Sequence, residues 1–206
     1  MGAMLRVGLT GGIACGKTNT LVEFGRLGVY GIAADQIGHE VMQPDGSAYT
    51  EVVERFGTEI LNDDGTIDRS RLGRIVFAHE SRRQDLNQIV HPRILAEEDR
   101  ILRSLEDELS TLRPRVAMVD AALMVEAGSY RRYDVILVVY CHQEIQLRRL
   151  MTRDGLSEPE ALLRIRSQMP PLEKIRYADF IIDNSSRLSD TRRQIHHTFL
   201  ELVSRS

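Results

Sequence analysis

Residues 11–18, Gly11-Gly12-Ile13-Ala14-Cys15-Gly16-Lys17-Thr18, fill every position of the pattern G-x-x-x-x-G-K-[ST]. An apolar run from Leu5 to Thr10 leads into it and a helical pattern through Leu27 leads out, which is the strand-to-helix setting the pattern requires. Glycines let the backbone turn so tightly that successive amides point inward at phosphate oxygens, and the following helix adds the partial positive charge of its N-terminus. Lys17 then reaches the β- and γ-phosphates and the Thr18 hydroxyl ligates Mg²⁺, so ATP and Mg²⁺ are the implied cofactors. A glycine-rich turn that binds nothing is the plain alternative. Against it, Lys17 is one of only two lysines in the chain, the other being Lys174, while arginine carries the rest of the positive charge.

Four further apolar runs, Val29 to Ala33, Val116 to Val119, Val135 to Cys141 and Phe180 to Ile182, read as buried strands separated by stretches long enough for crossover helices. The expected fold is α/β, a five-stranded parallel sheet, with ligands at the carboxyl ends of its strands. Residues 4–34, 116–154 and 178–204 make the core. The stretch 35–115 exceeds a crossover and reads as a helical insertion, with Ser81 capping a helix through Val90, Pro92 opening the next, and an apolar stripe of Ile94, Ile101, Leu102, Leu105 and Leu109. Residues 155–177 read as a short helical hairpin that starts at the capping box Ser157-Glu158-Pro159-Glu160 and is stopped by Pro170-Pro171. Ile195, Phe199, Leu202 and Val203 give the last helix one packing face.

With 28% charged residues, a net charge of −3 and a pI near 6.1, the chain does not match a protein that binds by neutralising a nucleic-acid backbone. No apolar run spans a membrane and no cleavable leader is visible, so a cytoplasmic setting is expected, with no membrane partner. Met1-Gly2-Ala3 reads as a remnant ahead of a native Met4. Two cysteines, Cys15 and Cys141, make no disulfide framework, since a bridge at Cys15 would distort the loop. Cys15 reads as a small residue tolerated there, although its place beside a helix start favours a thiolate. Nothing in the pattern sets an oligomeric state.

Asp35 follows the second strand run and emerges at the same sheet edge as the loop, which makes it the leading candidate to orient an acceptor hydroxyl; a helix N-cap is the alternative. Asp120 ends the third run, where an acid can hold Mg²⁺ directly or through water. Glu126 is either a pocket group or solvated. Arg149 and Arg153 sit one helical turn apart, beside the hairpin with Arg164, and read equally as a mobile lid gripping phosphate or as a solvated basic face. His91-Pro92 reads as a helix-start dipeptide, and His196-His197 has no metal-ligand companions.

Taken together, Val7-Gly8-Leu9-Thr10-Gly11-Gly12-Ile13, Ala34-Asp35-Gln36-Ile37, His91-Pro92, Leu123 to Glu126, Gln146-Leu147-Arg148-Arg149 with Arg153, Arg164 with Gln168, Ala178-Asp179 and Phe180-Ile181-Ile182-Asp183-Asn184 resemble, in order, the dephospho-coenzyme A kinase family. The resemblance implies a phosphate-loop kinase core, a helical coenzyme-A-binding domain over 35–115 and a lid over 155–177. It implies transfer of phosphate from Mg-ATP to the ribose 3′-hydroxyl of dephospho-CoA. It places the catalytic aspartate on Asp35, lid arginines on Arg149 and Arg153, a nucleotide-site asparagine on Asn184, and acceptor-side residues on His91, Leu123 and Glu126. The sequence departs from the family pattern at Ala33, where an aspartate is usual, at Ala122, where proline is usual, and at Ala14-Cys15, where a small residue and serine are commoner. Alternatives are another small-molecule kinase, acting on a nucleoside, a nucleotide or shikimate, and a nucleotide switch without acceptor; an N-K-x-D guanine-reading motif is absent.

Overall fold

The computed structural model describes residues 4–108 and 113–206, so Met1-Gly2-Ala3 and Leu109 lie outside the described residues. Five strands, β1 (Leu5–Gly11), β2 (Tyr30–Ala33), β3 (Val116–Asp120), β4 (Val135–Tyr140) and β5 (Phe180–Asp183), pair in parallel in the order β2-β3-β1-β4-β5. These are the five apolar runs of the sequence, shifted by at most one residue at either end. The α-helices are α1 (Lys17–Arg26), α2 (Ala34–Glu40), α3 (Tyr49–Phe56), α4 (Arg69–Ala78), α5 (Glu80–Glu108), α6 (Gln143–Asp154), α7 (Glu158–Arg166), α8 (Pro171–Lys174) and α9 (Leu188–Arg205).

The chain divides into two compact units, one holding the residues through Ala33 and from Leu105 on, the other Ala34–Ser104. In the first, Leu137 and Val139 of β4 pack with Val7, Leu9, Phe24, Ile195 and Leu202, while Ile136 and Val138 pack with Met124 on the opposite face. Both faces are covered, which is why the strands read as continuous apolar runs rather than alternating ones. Each side chain buried in this way contributes about 1.5–3 kcal/mol of transfer free energy. A smaller cluster, Leu150 with Ala161 and Ile165, fixes α7 on α6. Glu160 accepts from the Ser157 amide at 2.9 Å, so α7 starts where the capping box predicts, and it ends at Arg166, ahead of Pro170-Pro171.

The second unit departs from expectation at one point. The two helices anticipated around Pro92 are a single helix, α5, which runs through the proline. Proline has no N–H for the Gln88 carbonyl and crowds it, a defect that normally ends a helix. Here Ile89 and Val90 are buried immediately before it, and the Arg93 side chain bonds the Ile89 carbonyl at 2.5 Å, the Ser47 carbonyl at 3.0 Å and Glu51. Packing and this three-way tether hold the helix across the break. His91-Pro92 is therefore mid-helix rather than a helix start. Elsewhere in the unit α4 begins at a side-chain cap, Asp68 accepting from the Ser70 and Arg71 amides at 2.8 and 3.0 Å.

Candidate active site

β1 ends at Gly11 and α1 begins at Lys17, so residues 12–16 form the turn that the pattern requires. Its glycines are fixed by space as well as by conformation. A Cβ on Gly11 would lie 2.3 Å from the Val139 carbonyl oxygen. Gly16, at φ +98°, occupies the left-handed region, and a Cβ there would lie 2.2 Å from Asn184 Nδ2. Three amide side chains from outside the loop bind its backbone. Gln146 Nε2 of α6 donates to the Ile13 carbonyl (2.7 Å), Gln168 Oε1 accepts from the Ile13 amide (2.8 Å), and Asn184 Nδ2 donates to the Cys15 carbonyl (2.8 Å). Asn184 is itself held, its Oδ1 accepting from Thr191 Oγ1 at 3.0 Å. At about 0.5–1.5 kcal/mol each, the bonds from Gln146 and Asn184 to loop carbonyls hold the shape of an anion receptor that would otherwise be a flexible glycine turn, while Gln168 occupies one of its amides.

The charges gather at the same edge of the sheet. Asp120 is the last residue of β3, in register with Leu9 on one side and Ala33 on the other, and its Oδ1 lies 4.0 Å from Lys17 Nζ. Thr18 sits exposed in the first turn of α1. A cleft of about 760 Å³ opens over the loop, lined by Ala14, Gly16, Lys17 and Thr18 on one side, by Arg148, Arg149 and Arg153 of α6 on another, and by Asn184, Leu188 and Ile195 beyond. Arg149 Nη2 donates to the Asn184 carbonyl at 3.0 Å, while its Nη1 is buried with no hydrogen-bond partner. A buried guanidinium nitrogen left unpaired beside a phosphate loop is suited to an anion. Arg153 and Arg164 both pair with Asp154, at 2.7 and 2.9 Å, on the exposed side of α6 and α7, so in this structure they brace the hairpin.

Thr18 offers one hydroxyl and Asp120 one carboxylate, oxygen groups whose chemistry fits Mg²⁺ where water and phosphate supply the remaining ligands. Among the described residues no group of three or more His, Cys, Asp or Glu side chains is placed to hold a metal.

The acceptor-side candidates are distributed as follows. Asp35 is exposed in the first turn of α2, directly after β2; it is the second residue of the helix and not its cap. His91 is half-buried within α5. Leu123 is exposed on the loop after β3. Glu126 is neither free nor simply solvated: its carboxylate accepts from Lys174 Nζ at 2.9 Å and from the Met169 amide at 3.0 Å. Lys174 is completely buried and also donates to the Ala122 carbonyl at 2.6 Å; burial holds its ammonium below the usual lysine range, with Glu126 opposing the shift.

Asp179 has a structural explanation. Its carboxylate accepts from the Ile136 amide at 2.7 Å and its own amide donates to the Ile136 carbonyl at 2.8 Å, tying the start of β4 to the segment before β5. Sequence reasoning did not find the three-amide clamp on the loop or the partner of Lys174. Glutamine and asparagine carry no periodic signal, although the rarity of lysine pointed at Lys174 as much as at Lys17.

The family model for dephospho-CoA kinase matches residues 5–190. The dephospho-CoA kinase of Syntrophus aciditrophicus is 40% identical over 99% of this chain and 86% of its own, and that of Carboxydothermus hydrogenoformans is 43% identical over 92% and 90%. Among solved structures, dephospho-CoA kinase from Campylobacter jejuni superposes with a TM-score of 0.72 at 30% identity, covering 97% of both chains. A shikimate kinase from Bacteroides thetaiotaomicron, at 18% identity and a TM-score of 0.51 over 97% of this chain and 99% of its own, shares the fold alone. With the model match running nearly end to end and relatives of this similarity at almost full length, the chain belongs to the dephospho-CoA kinase family.

Proposed function

We propose that this kinase moves the γ-phosphoryl group of ATP to the ribose 3′-hydroxyl of dephospho-CoA, giving CoA and ADP, with a division of labour among its own residues. The observation that carries it is the clamped loop: a backbone fixed by Gln146, Gln168 and Asn184, with Lys17 beside Asp120, beneath a cleft that Arg149 helps to line. Loop amides and Lys17 hold the phosphates. Arg149 offers its free N–H to the charge that spreads over the equatorial oxygens during transfer, and Arg153 stands one turn further along the same helix. Asn184 serves the nucleotide through the loop, because both ends of its side chain are occupied by Cys15 and Thr191.

Asp35 orients the acceptor hydroxyl and takes its proton; phosphoryl transfer passes through a loose transition state, so orientation is the larger part of its task. His91 and Leu123 are further acceptor-side residues, and Glu126 contributes by fixing the loop that carries Leu123. Thr18 and Asp120 are the residues that hold Mg²⁺. A divalent ion held there would supply positive charge to offset the negative charge of the phosphates. The reading extends to a cytoplasmic setting, in keeping with two free cysteines and with described helices none of which is long and apolar enough to cross a membrane.

The test is a mass-resolved assay of the chain with Mg-ATP and, separately, dephospho-CoA, shikimate, nucleosides and nucleoside monophosphates. CoA appearing in step with ADP is expected. Turnover of another acceptor with none of dephospho-CoA would overturn the substrate while leaving the kinase.

A further inference from the structure

The register that sets Gly11 of β1 beside Val139 of β4 also brings the turn of the phosphate loop over the residue that follows β4. The chain's only two cysteines meet there. Cys141 Sγ lies 3.3 Å from Cys15 Sγ, donating to it, and both thiols are free and buried. Nothing in the phosphate chemistry needs either sulfur, and no metal-binding group accompanies them among the described residues.

We propose that Cys15 and Cys141 are an oxidisable thiol pair which a hydroperoxide converts to an intramolecular disulfide, tying the phosphate loop to the end of β4 and reversibly disabling nucleotide binding. The two sulfurs are chemically unequal. The hydrogen bond from Cys141 is the main cause that draws the Cys15 thiol down to about 7, with the Lys17 charge assisting against burial; donation to Cys15 and burial push Cys141 up. At neutral pH a sizeable share of Cys15 is therefore thiolate, next to a Cys141 that stays protonated. The Cys15 thiolate attacks the peroxide, forming the S–O bond as O–O breaks; the alcohol, or water, leaves with a proton and Cys15 becomes a sulfenic acid. Cys141 sulfur then attacks Cys15 sulfur, its proton joins the departing hydroxide, and water leaves. Two thiols and one hydroperoxide give a disulfide, an alcohol and water.

Bridging requires the sulfurs to close from 3.3 Å to about 2.05 Å. That movement falls on a loop whose Ile13 and Cys15 backbone groups are already fixed by Gln146, Gln168 and Asn184, so the turn deforms where its amides must face phosphate. Burial makes the reaction wait on opening of the loop, and bound ATP, by holding the loop shut, slows it.

The inference rests on the nucleotide site and not on the acceptor, so its test uses no acceptor and its failure is separable from failure of the dephospho-CoA reading. The full chain is treated with hydrogen peroxide with and without Mg-ATP, remaining thiols are alkylated, and peptide mass spectrometry is paired with calorimetric ATP titration. A Cys15–Cys141 linked peptide is expected, with ATP affinity lower by about tenfold or more, restoration by dithiothreitol, and suppression of the link by ATP. Cys141→Ser, with Cys141→Ala as a second variant should serine disturb the buried site, is expected to form no link and to keep its ATP affinity through the same treatment. Absence of the link in the unsubstituted chain, a link with unchanged affinity, a loss that dithiothreitol does not reverse, or equal loss in the folded Cys141 variants overturns the proposal.

Discussion

Removing the ammonium of Lys174 by Lys174→Met keeps most of the buried volume while deleting two hydrogen bonds, to the Ala122 carbonyl and to Glu126. Neither acceptor is left bare. Ala122 still accepts from Thr10 Oγ1 at 3.2 Å, and Glu126 keeps the Met169 amide and a quarter of its side-chain surface in water, at 24%. The expected loss is therefore about 2–3 kcal/mol, below the ~3–5 kcal/mol typical of breaking a fully buried pair. Glu126→Gln is the more harmful change, because the charge it strands has no exposure at all. Its deficit has a pH signature. Burial lowers the folded pKa of Lys174, so the unfolded chain binds more protons in that window and stability rises with pH; without Glu126 to oppose burial the rise is steeper and the deficit shrinks towards alkaline pH. In urea titrations, with a slope of about 2 kcal/mol per molar, Lys174→Met lowers the midpoint by about 1 M. The double variant Lys174→Met/Glu126→Gln loses less than the sum of the singles by about 1 kcal/mol or more. Additive losses, or a Lys174→Met midpoint equal to that of the unsubstituted chain, would refute the pairing.

Asp35→Asn is expected to cut turnover by about 10²-fold or more while ATP still binds, and near-normal turnover in a steady-state assay sinks its role. Lys17→Met should lower both ATP affinity and turnover; calorimetry and rates that are both unchanged dispose of the phosphate assignment. Gly16→Ala combines a strained φ with a 2.2 Å collision against Asn184, so ATP binding should be lost even where circular dichroism shows a folded chain, and retained binding contradicts the clamp. The rate of Cys15–Cys141 oxidation should rise from about pH 6 and level off above about pH 8, since the thiolate reacts and its pKa is about 7; a midpoint near the ordinary thiol value of 9.0 rejects the hydrogen-bonded thiolate.

What was legible in the sequence follows from the range of each signal. Apolar runs and the eight-position loop are local patterns, so the five strands, Lys17 and Thr18 were visible, as was the capping box at Ser157. Pro92 misled because a local rule met a tertiary override: burial of Ile89 and Val90 with the Arg93 tether carries α5 through a residue that by itself ends helices. The clamp on the loop joins residues separated by 133, 155 and 169 positions, and the thiol pair by 126. No spacing rule reaches that far; the adjacency of β1, β4 and β5 brings Cys141 and Asn184 to the loop, and α6 and the segment after α7 bring the two glutamines.

The bond between Gln168 and the Ile13 amide links two processes usually described apart. A backbone N–H has one hydrogen to give. A phosphate oxygen that claims the Ile13 hydrogen competes with Gln168, which sits between α7 and α8, at the root of the hairpin. Filling the loop and loosening the hairpin are then two sides of one exchange, and by linkage anything that holds the hairpin in its present position weakens phosphate binding by the same factor that phosphate binding releases the hairpin.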